Sequence, residues 1–141
     1  AGSQFIMAGI LMQILGLALQ ANRFQNIHNS KDLEFKIRQA KELLSENSEN
    51  PIKPEEVAEK LSLGYSRFRK AFKEYTGLAP GQYQMQRRIN KAKELLMSDE
   101  LEIKDVAVRV GFESNVHFTR VFKDKTGDSP GRYRRKSLGK I

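Results

Sequence analysis

The apolar residues of this chain recur at helical spacing, and the first segment is apolar almost all round. In Phe5–Ala21 the Gly and Gln residues at positions 9, 13, 16 and 20 form one stripe on a helix, and the rest of the surface is apolar. Such a helix is normally buried on several sides. Asn22–Lys31 is polar and predicts a connector, so residues 1–30 are expected to form an apolar helix followed by a connector.

A second, amphipathic helix is predicted within residues 31–50. Leu33, Ile37, Ala40 and Leu44 share one face at helical spacing, and the polar stretch up to residue 51 reads SENSENP and predicts a loop. This second helix and its loop lead into the remainder of the chain.

Four interpretations of the apolar helix follow from its composition. It pairs two subunits or two domains, which we favour, or it packs on its own domain, crosses a membrane, or is exposed by truncation. A membrane span needs about 20 apolar residues, whereas this run is shorter and contains Gln13 and Gln20. We therefore expect no membrane contact.

The second half of the chain contains an internal repeat. FKEYTGLAPGQYQ, from Phe72 to Gln84, and FKDKTGDSPGRYR, from Phe122 to Arg134, match at seven of thirteen positions without a gap. Similarity extends upstream, with one extra residue in the second copy. Two copies of one structural unit are therefore predicted.

Each copy predicts two short helices joined by a tight turn. In the first copy, residues 54–61 begin with Pro and two Glu, which favour a helix start, and Gly77 is placed to end the second helix. In the second copy the helices are predicted at 105–110 and 115–126. The second helix of each copy has a strict apolar face. Its residues are Phe68, Ala71, Phe72 and Tyr75 in the first copy, and Phe118, Val121 and Phe122 in the second. This is the helix-turn-helix pattern.

The predicted architecture is all-α, with two helix-turn-helix subdomains, a long linker helix and the N-terminal apolar helix. The first helix-turn-helix occupies residues 51–79, and the linker helix occupies residues 80–97. The second helix-turn-helix and a closing helix, with Ser129 as its N-cap, occupy residues 98–141.

The charge of the chain is concentrated in this second part. The net charge is +8, but residues 1–50 hold five basic and five acidic residues, so the whole excess falls on residues 51–141. A basic excess confined to one part favours a polyanionic partner. The absence of Cys excludes disulfide scaffolds, thiolate metal sites and thiol catalysis.

The outward faces of the two second helices are polar and basic. Recognition helices present N-terminal residues to base edges, where Arg or Lys pairs with guanine, Asn with adenine, and an apolar side chain with the thymine methyl. The base-reading candidates are Ser66, Arg67, Arg69 and Lys70 in the first copy, and Asn115, Val116, His117 and Arg120 in the second. The phosphate candidates are Lys73, Ser114, Thr119 and Lys123. A solvated helix face would have the same composition, and the repetition of the unit favours DNA contact.

Three segments together carry a resemblance to a known family. VAVRVGFESNVHFTRVFKDKTGDSPGRYR (Val106–Arg134), the FKEYTG and PG elements of the first copy, and RINKAKELL (Arg88–Leu96) resemble the AraC-type (arabinose-regulator) family of bacterial transcription factors. The resemblance covers about residues 52–136. It implies two recognition helices that enter successive major-groove segments of promoter or operator DNA. The three basic residues Arg67, Arg69 and Lys70 of the first copy exceed what base reading needs and favour a larger phosphate contribution there.

The resemblance also implies partners and a location. Double-stranded DNA and RNA polymerase are the expected partners, in a cytoplasmic, nucleoid-associated protein. Many family members carry an upstream effector-binding or dimerisation domain, and Phe5–Ala21 would be a helix that pairs subunits. Because the chain begins Ala1-Gly2-Ser3 without an initiator Met, we expect a fragment of a larger regulator that lacks its effector-binding domain.

Two other classes of function remain as alternatives. An enzyme is not expected, because His28 and His117 are the only histidines, lack metal-ligand spacing, and no nucleophile or phosphate-loop motif is present. No metal or cofactor is therefore predicted. The second alternative is a helical protein-interaction module without DNA specificity, for which the apolar helix is the best argument.

Overall fold

The computed structural model describes residues 2–46 and 48–140, and all regular elements of those residues are α-helices. They are α1 (Gly2–Ser45), α2 (Pro54–Lys60), α3 (Tyr65–Thr76), α4 (Pro80–Leu96), α5 (Ile103–Arg109), α6 (Asn115–Thr126) and α7 (Pro130–Ser137). The prediction of an all-α fold is confirmed. The chain divides into two units, Ala1–Lys36 and Ile37–Ile141.

Helix α1 is continuous where the sequence predicted a connector. The predicted break at residues 22–31 is wrong, because the helix runs without interruption from Gly2 to Ser45. Residues 22–31 contain neither Pro nor Gly, and polar side chains on a solvated helix leave its backbone hydrogen bonds intact. In the first unit the side chains of residues 2–30 are exposed, including the apolar ones.

The length and composition of α1 are those of a helix that could cross a membrane. An 18-residue window has a mean hydropathy of 1.7 and is unburied. The argument from a short apolar run therefore does not exclude a span, since the helix extends well beyond that run. Signal sequences and core helices of soluble proteins share this length and composition, so these properties do not decide among the four interpretations.

The end of α1 reveals a longer repeat than the sequence pattern had indicated. KIRQAKELL at residues 36–44 matches RINKAKELL at residues 88–96 in six of nine positions. The matched apolar residues are buried in both places: Ile37, Ala40 and Leu44 in α1, and Ile89, Ala92 and Leu96 in α4. Each repeat therefore includes the helix that precedes its helix-turn-helix.

The two helix-turn-helix units repeat the same aromatic packing. Phe68 and Phe72 have ring centroids 5.7 Å apart, and Phe118 and Phe122 are 5.6 Å apart. Tyr83 meets the edge of Phe72 at 5.3 Å, and Tyr133 meets Phe122 at 5.4 Å. The four Phe side chains are fully buried, which confirms the predicted inner faces. Tyr75 is the exception, because it lies at the last turn of α3 and is exposed.

The helix ends are set by local chemistry that the sequence predicted. Gly77 and Gly127 adopt left-handed conformations at the ends of α3 and α6. The Ser129 hydroxyl accepts a hydrogen bond from the backbone N–H of Arg132 at the start of α7. The observed α5 spans Ile103–Arg109 instead of the predicted residues 105–110.

Helix α4 joins the two units and forms one side of the second core. Its 17 residues span about 25 Å. Ile89, Ala92 and Leu96 are buried against α5 and α6. Near its start, the Gln84 side chain donates a hydrogen bond to the Ile52 carbonyl at 2.7 Å, which ties the loop between α1 and α2 to α4.

The turns inside the two helix-turn-helix units differ in length by one residue. Ser62 and Gly111 make equivalent backbone hydrogen bonds, to Glu59 and Val108, and both have positive φ, at 55° and 82°. Helices α3 and α6 then begin at equivalent residues, so Glu113 is the extra residue of the second copy. Gly111 also lies against Ser48 and Pro51 of the loop between α1 and α2.

We expect Gly111→Ala to lower the free energy of unfolding more than Gly127→Ala does. At φ values of 82° and 86°, both substitutions carry a backbone cost of about 1–2 kcal/mol. Only at Gly111 would the added Cβ meet other atoms, 2.5 Å from the Ser48 carbonyl oxygen and 2.9 Å from Pro51 Cδ. Chemical denaturation of the two variants measures the difference, and equal losses would contradict the close approach of this loop.

Candidate nucleic-acid interface

The outward face of α3 is a dense group of cations. The predicted residues Ser66, Arg67, Arg69, Lys70 and Lys73 are all exposed and lie on the side away from the buried Phe68 and Phe72. The helix begins after Gly64, which provides no side-chain cap. This face therefore has a high positive charge, and its helix begins without a side-chain cap.

The outward face of α6 has fewer cations and more varied chemistry. Asn115, Val116, His117, Arg120 and Lys123 are exposed, and Thr119 is half-buried. Val116 is 81% exposed, so its methyl groups are accessible to a partner. The face offers amide, imidazole, guanidinium and methyl groups to a partner.

The N-terminal turn of α6 is held by its own side chains. The Ser114 hydroxyl accepts a hydrogen bond from the backbone N–H of His117 at 3.3 Å and caps the helix. The hydroxyl can still donate its proton to an acceptor such as a phosphate oxygen. Ser114, a predicted phosphate contact, thus also caps the helix turn that carries the base-reading candidates.

Phe112 supports the same turn from within the core, a role that sequence reasoning missed. It falls between the helices predicted at 105–110 and 115–126, but it is buried and its ring lies 5.3 Å from both His117 and Phe118. The contact with His117 is edge-on, with an interplanar angle of 71°. An aromatic residue directly after a turn Gly was the available sequence signal.

Arg88 was also missed as part of the site. From α4 its Nε donates a hydrogen bond to the Val110 carbonyl at 2.7 Å, and its Nη2 donates one to the Gly111 carbonyl. Its Cζ lies 4.1 Å from the centroid of the Phe112 ring. Burial lowers the pKa of the Arg88 guanidinium from its usual value, yet an arginine keeps its charge in proteins.

The cations of α3 and α6 differ from those of α7 in their pairing. Arg132 and Lys136 of α7 form ion pairs with Asp128 at 3.2 and 2.8 Å, and the hydrogen bond from Lys136 lowers the pKa of Asp128. Among ion pairs between described residues, none includes a cation of α3 or α6. These cations are thus available to an anionic partner.

The described residues also contain no group of three or more His, Asp or Glu side chains that could hold a metal ion.

Comparison with known proteins decides the class of this domain. The sequence profile of the helix-turn-helix domain matches residues 57–136, more than half of the chain. The chain belongs to the AraC-type helix-turn-helix family. The prediction from the repeat and the linker helix is confirmed, and the AraC-type domain is a DNA-binding domain of transcriptional regulators, not an enzyme.

Relatives of known sequence extend over nearly the whole chain. The chain is 31% identical over 132 residues to the uncharacterized HTH-type transcriptional regulator YfiF of Bacillus subtilis, which covers 94% of this chain and 41% of the relative. The chain spans about a third to a half of the length of the curated relatives it matches. Because the YfiF alignment covers 94% of this chain, it reaches into the apolar N-terminal segment.

Solved structures support the same assignment. The C-terminal domain of AraT, a response regulator from Geobacillus stearothermophilus, is 31% identical with a TM-score of 0.68, covering 72% of this chain and 84% of that one. The DNA-binding domain of the global transcriptional factor AdpA, solved in complex with a target DNA, is 26% identical with a TM-score of 0.69 and coverages of 74% and 94%. The AraC-type domain of this chain thus shares its fold with a domain seen on DNA.

Proposed function

We propose that α3 and α6 bind successive major-groove segments on one side of a DNA duplex and read its sequence. The observation that carries this proposal is the repetition of an exposed, unpaired basic face on two equivalent helices of one family domain. The two helices belong to equivalent halves joined by α4. Their separation along DNA would be about one helical turn, or about 34 Å.

The two faces divide into base-reading and phosphate-contacting residues. Base reading is assigned to Ser66, Arg67, Arg69, Lys70, Asn115, Val116, His117 and Arg120, because they lie toward the N-terminal parts of the helices. Phosphate contact is assigned to Lys73, Ser114, Thr119 and Lys123. The half-buried position of Thr119 leaves it a smaller contact area than the others have. The four cations of α3 favour a larger phosphate share for the first helix.

The whole regulator would include more than this chain. The relatives are about twice as long as this chain, which supports a further effector-binding domain in the whole protein. A transcriptional regulator that binds promoter DNA would act on RNA polymerase, and a cytoplasmic, nucleoid-associated location follows from that partner.

The N-terminal unit would pair two copies of the regulator. Its apolar side chains are exposed around the helix, with Phe5 80% exposed, and no charged residue precedes Arg23. An exposed apolar surface of this kind marks a contact surface. Pairing would place two DNA-binding domains on one operator, which raises affinity through effective concentration.

A salt series tests whether DNA is the partner. We expect duplex affinity to fall steeply between 50 and 200 mM salt, by about a thousandfold or more if six or more phosphates are contacted. Fluorescence anisotropy on a duplex selected from random DNA measures this fall. Binding that does not depend on salt, or no binding to any selected duplex, would favour the protein-interaction module.

Two single substitutions separate base reading from phosphate contact. Arg120→Ala should weaken the selected duplex by about 1–3 kcal/mol and relax the preference at one or two base pairs. Lys123→Ala, one turn later on the same face, should weaken all duplexes alike and reduce the salt slope by about one. Affinities for the selected site and for single-base variants give both results. A uniform loss for Arg120→Ala would contradict its assignment.

Deletion of residues 1–25 tests the pairing role of the N-terminal unit. We expect the shortened chain to be monomeric but still to bind a single site, because the family domain at residues 57–136 is intact. Sedimentation equilibrium measures the mass of both chains. A dimer that persists after deletion would contradict pairing through this helix, and flotation of the full chain with lipid vesicles would favour the membrane interpretation.

A further inference from the structure

The turn between α5 and α6 is held by α4 through a single side chain. Arg88 donates hydrogen bonds to the carbonyls of Val110 and Gly111, the first two residues after α5. Carbonyls at a helix end lack partners within the helix, so the charged guanidinium supplies what the turn needs. The bidentate arrangement fixes the direction of the turn relative to α4 as well as its position.

The same guanidinium is connected to the reading helix through one aromatic ring. Its Cζ lies 4.1 Å from the centroid of Phe112, a cation–π distance. The same ring also contacts the rings of His117, edge-on at 5.3 Å, and of Phe118, at 5.3 Å. A displacement of Phe112 would therefore move the imidazole of His117 and the first turn of α6.

The loop between α1 and α2 also contacts this turn. Gly111 has no Cβ, and an added one would lie 2.5 Å from the Ser48 carbonyl oxygen and 2.9 Å from Pro51 Cδ. The loop that carries these residues is tied to α4 by the hydrogen bond from Gln84 to Ile52. The turn is thus confined by α4 and by the loop that α4 holds.

The first copy of the repeat lacks these restraints. In the register KIRQAKELL over RINKAKELL, Lys36 replaces Arg88, and Lys36 forms an ion pair with Asp32 at 3.7 Å. The backbone bonds of the turn make Leu63 equivalent to Phe112, and Gly64 caps α3 without a side chain. The guanidinium–carbonyl bonds, the aromatic ring at this position and the side-chain cap are therefore features of the second turn, and among the described residues they are not repeated at the first turn.

We infer that Arg88 is a positioning residue for base reading by α6: it aligns the Val110–Phe112 turn, and through Phe112 it orients His117 and the first turn of the recognition helix. This inference rests on the proposed DNA-binding function. In that proposal Arg88 is not one of the residues that contact DNA. Arg88 acts through the turn because its guanidinium is already engaged by two carbonyls and a ring. Its effect should fall on the discrimination between sequences.

The test compares Arg88→Met with Arg87→Met in the full chain. Both remove one positive charge from the same stretch of α4, but Arg87 is exposed. For each variant, affinity is measured for the selected duplex and for a duplex altered only in the half that α6 reads. We expect Arg88→Met to reduce the ratio of the two affinities roughly tenfold, about the size of one lost base contact. Arg87→Met should leave that ratio unchanged.

A measurement without DNA separates positioning from general stability. In proton NMR, the His117 ring resonances should shift in Arg88→Met, because the edge-on Phe112 ring changes the local field at the imidazole. They should keep their wild-type positions in Arg87→Met. If Arg88→Met fails to fold, Phe112→Leu, which installs the residue of the first turn, should give the same loss of ratio in a folded chain.

The outcomes distinguish this inference from the proposed function. An unchanged affinity ratio together with a lowered melting temperature would overturn the inference and leave Arg88 a purely structural residue. Unchanged His117 resonances would overturn it as well. A wild-type chain that binds all duplexes equally would instead refute sequence-specific reading, whatever the behaviour of Arg88.

Discussion

The bonds that α4 makes with its surroundings are the constraint on which the DNA-binding domain depends. Its buried residues Ile89, Ala92 and Leu96 form one wall of the second core. Its polar residues Gln84 and Arg88 hold two backbone segments by their carbonyls, the loop before α2 and the turn before α6. Because a helix is stiff over its length of about 25 Å, fixing both segments to one helix fixes the relation between the two halves.

The two halves share the packing of their cores and differ at the surface that we propose contacts DNA. The two halves have the same Phe pairs and Tyr contacts at nearly equal distances, and both have a glycine with positive φ at the helix end. The N-terminal ends of α3 and α6 differ. Helix α6 begins with a Ser cap and packs on the ring of Phe112, whereas α3 begins after Gly64 and has more cations on its face. A rigid helix start suits discrimination between bases, whereas a cluster of long cationic side chains suits phosphate contact, which depends less on exact placement.

The N-terminal unit poses a different physical problem. A helix with exposed apolar side chains on every side has a large unfavourable contact with water, about 25 cal/mol for each square ångström of apolar surface. Contact with a protein or a lipid surface would remove this cost. The YfiF alignment extends into this segment. Pairing of two regulators would cover it and would place two reading domains on one operator.

The sequence alone determined the elements whose causes are local. The boundaries of α6, the caps at Gly77 and Ser129, the buried Phe face and the exposed basic faces all follow from helical periodicity and turn chemistry within a few residues. The tertiary structure decided what depends on distant residues: the burial of Phe112, the clamp from Arg88, and the approach of Ser48 to Gly111. These contacts join residues 22 or more positions apart, and periodicity within one helix carries no information about which distant carbonyl an arginine will meet.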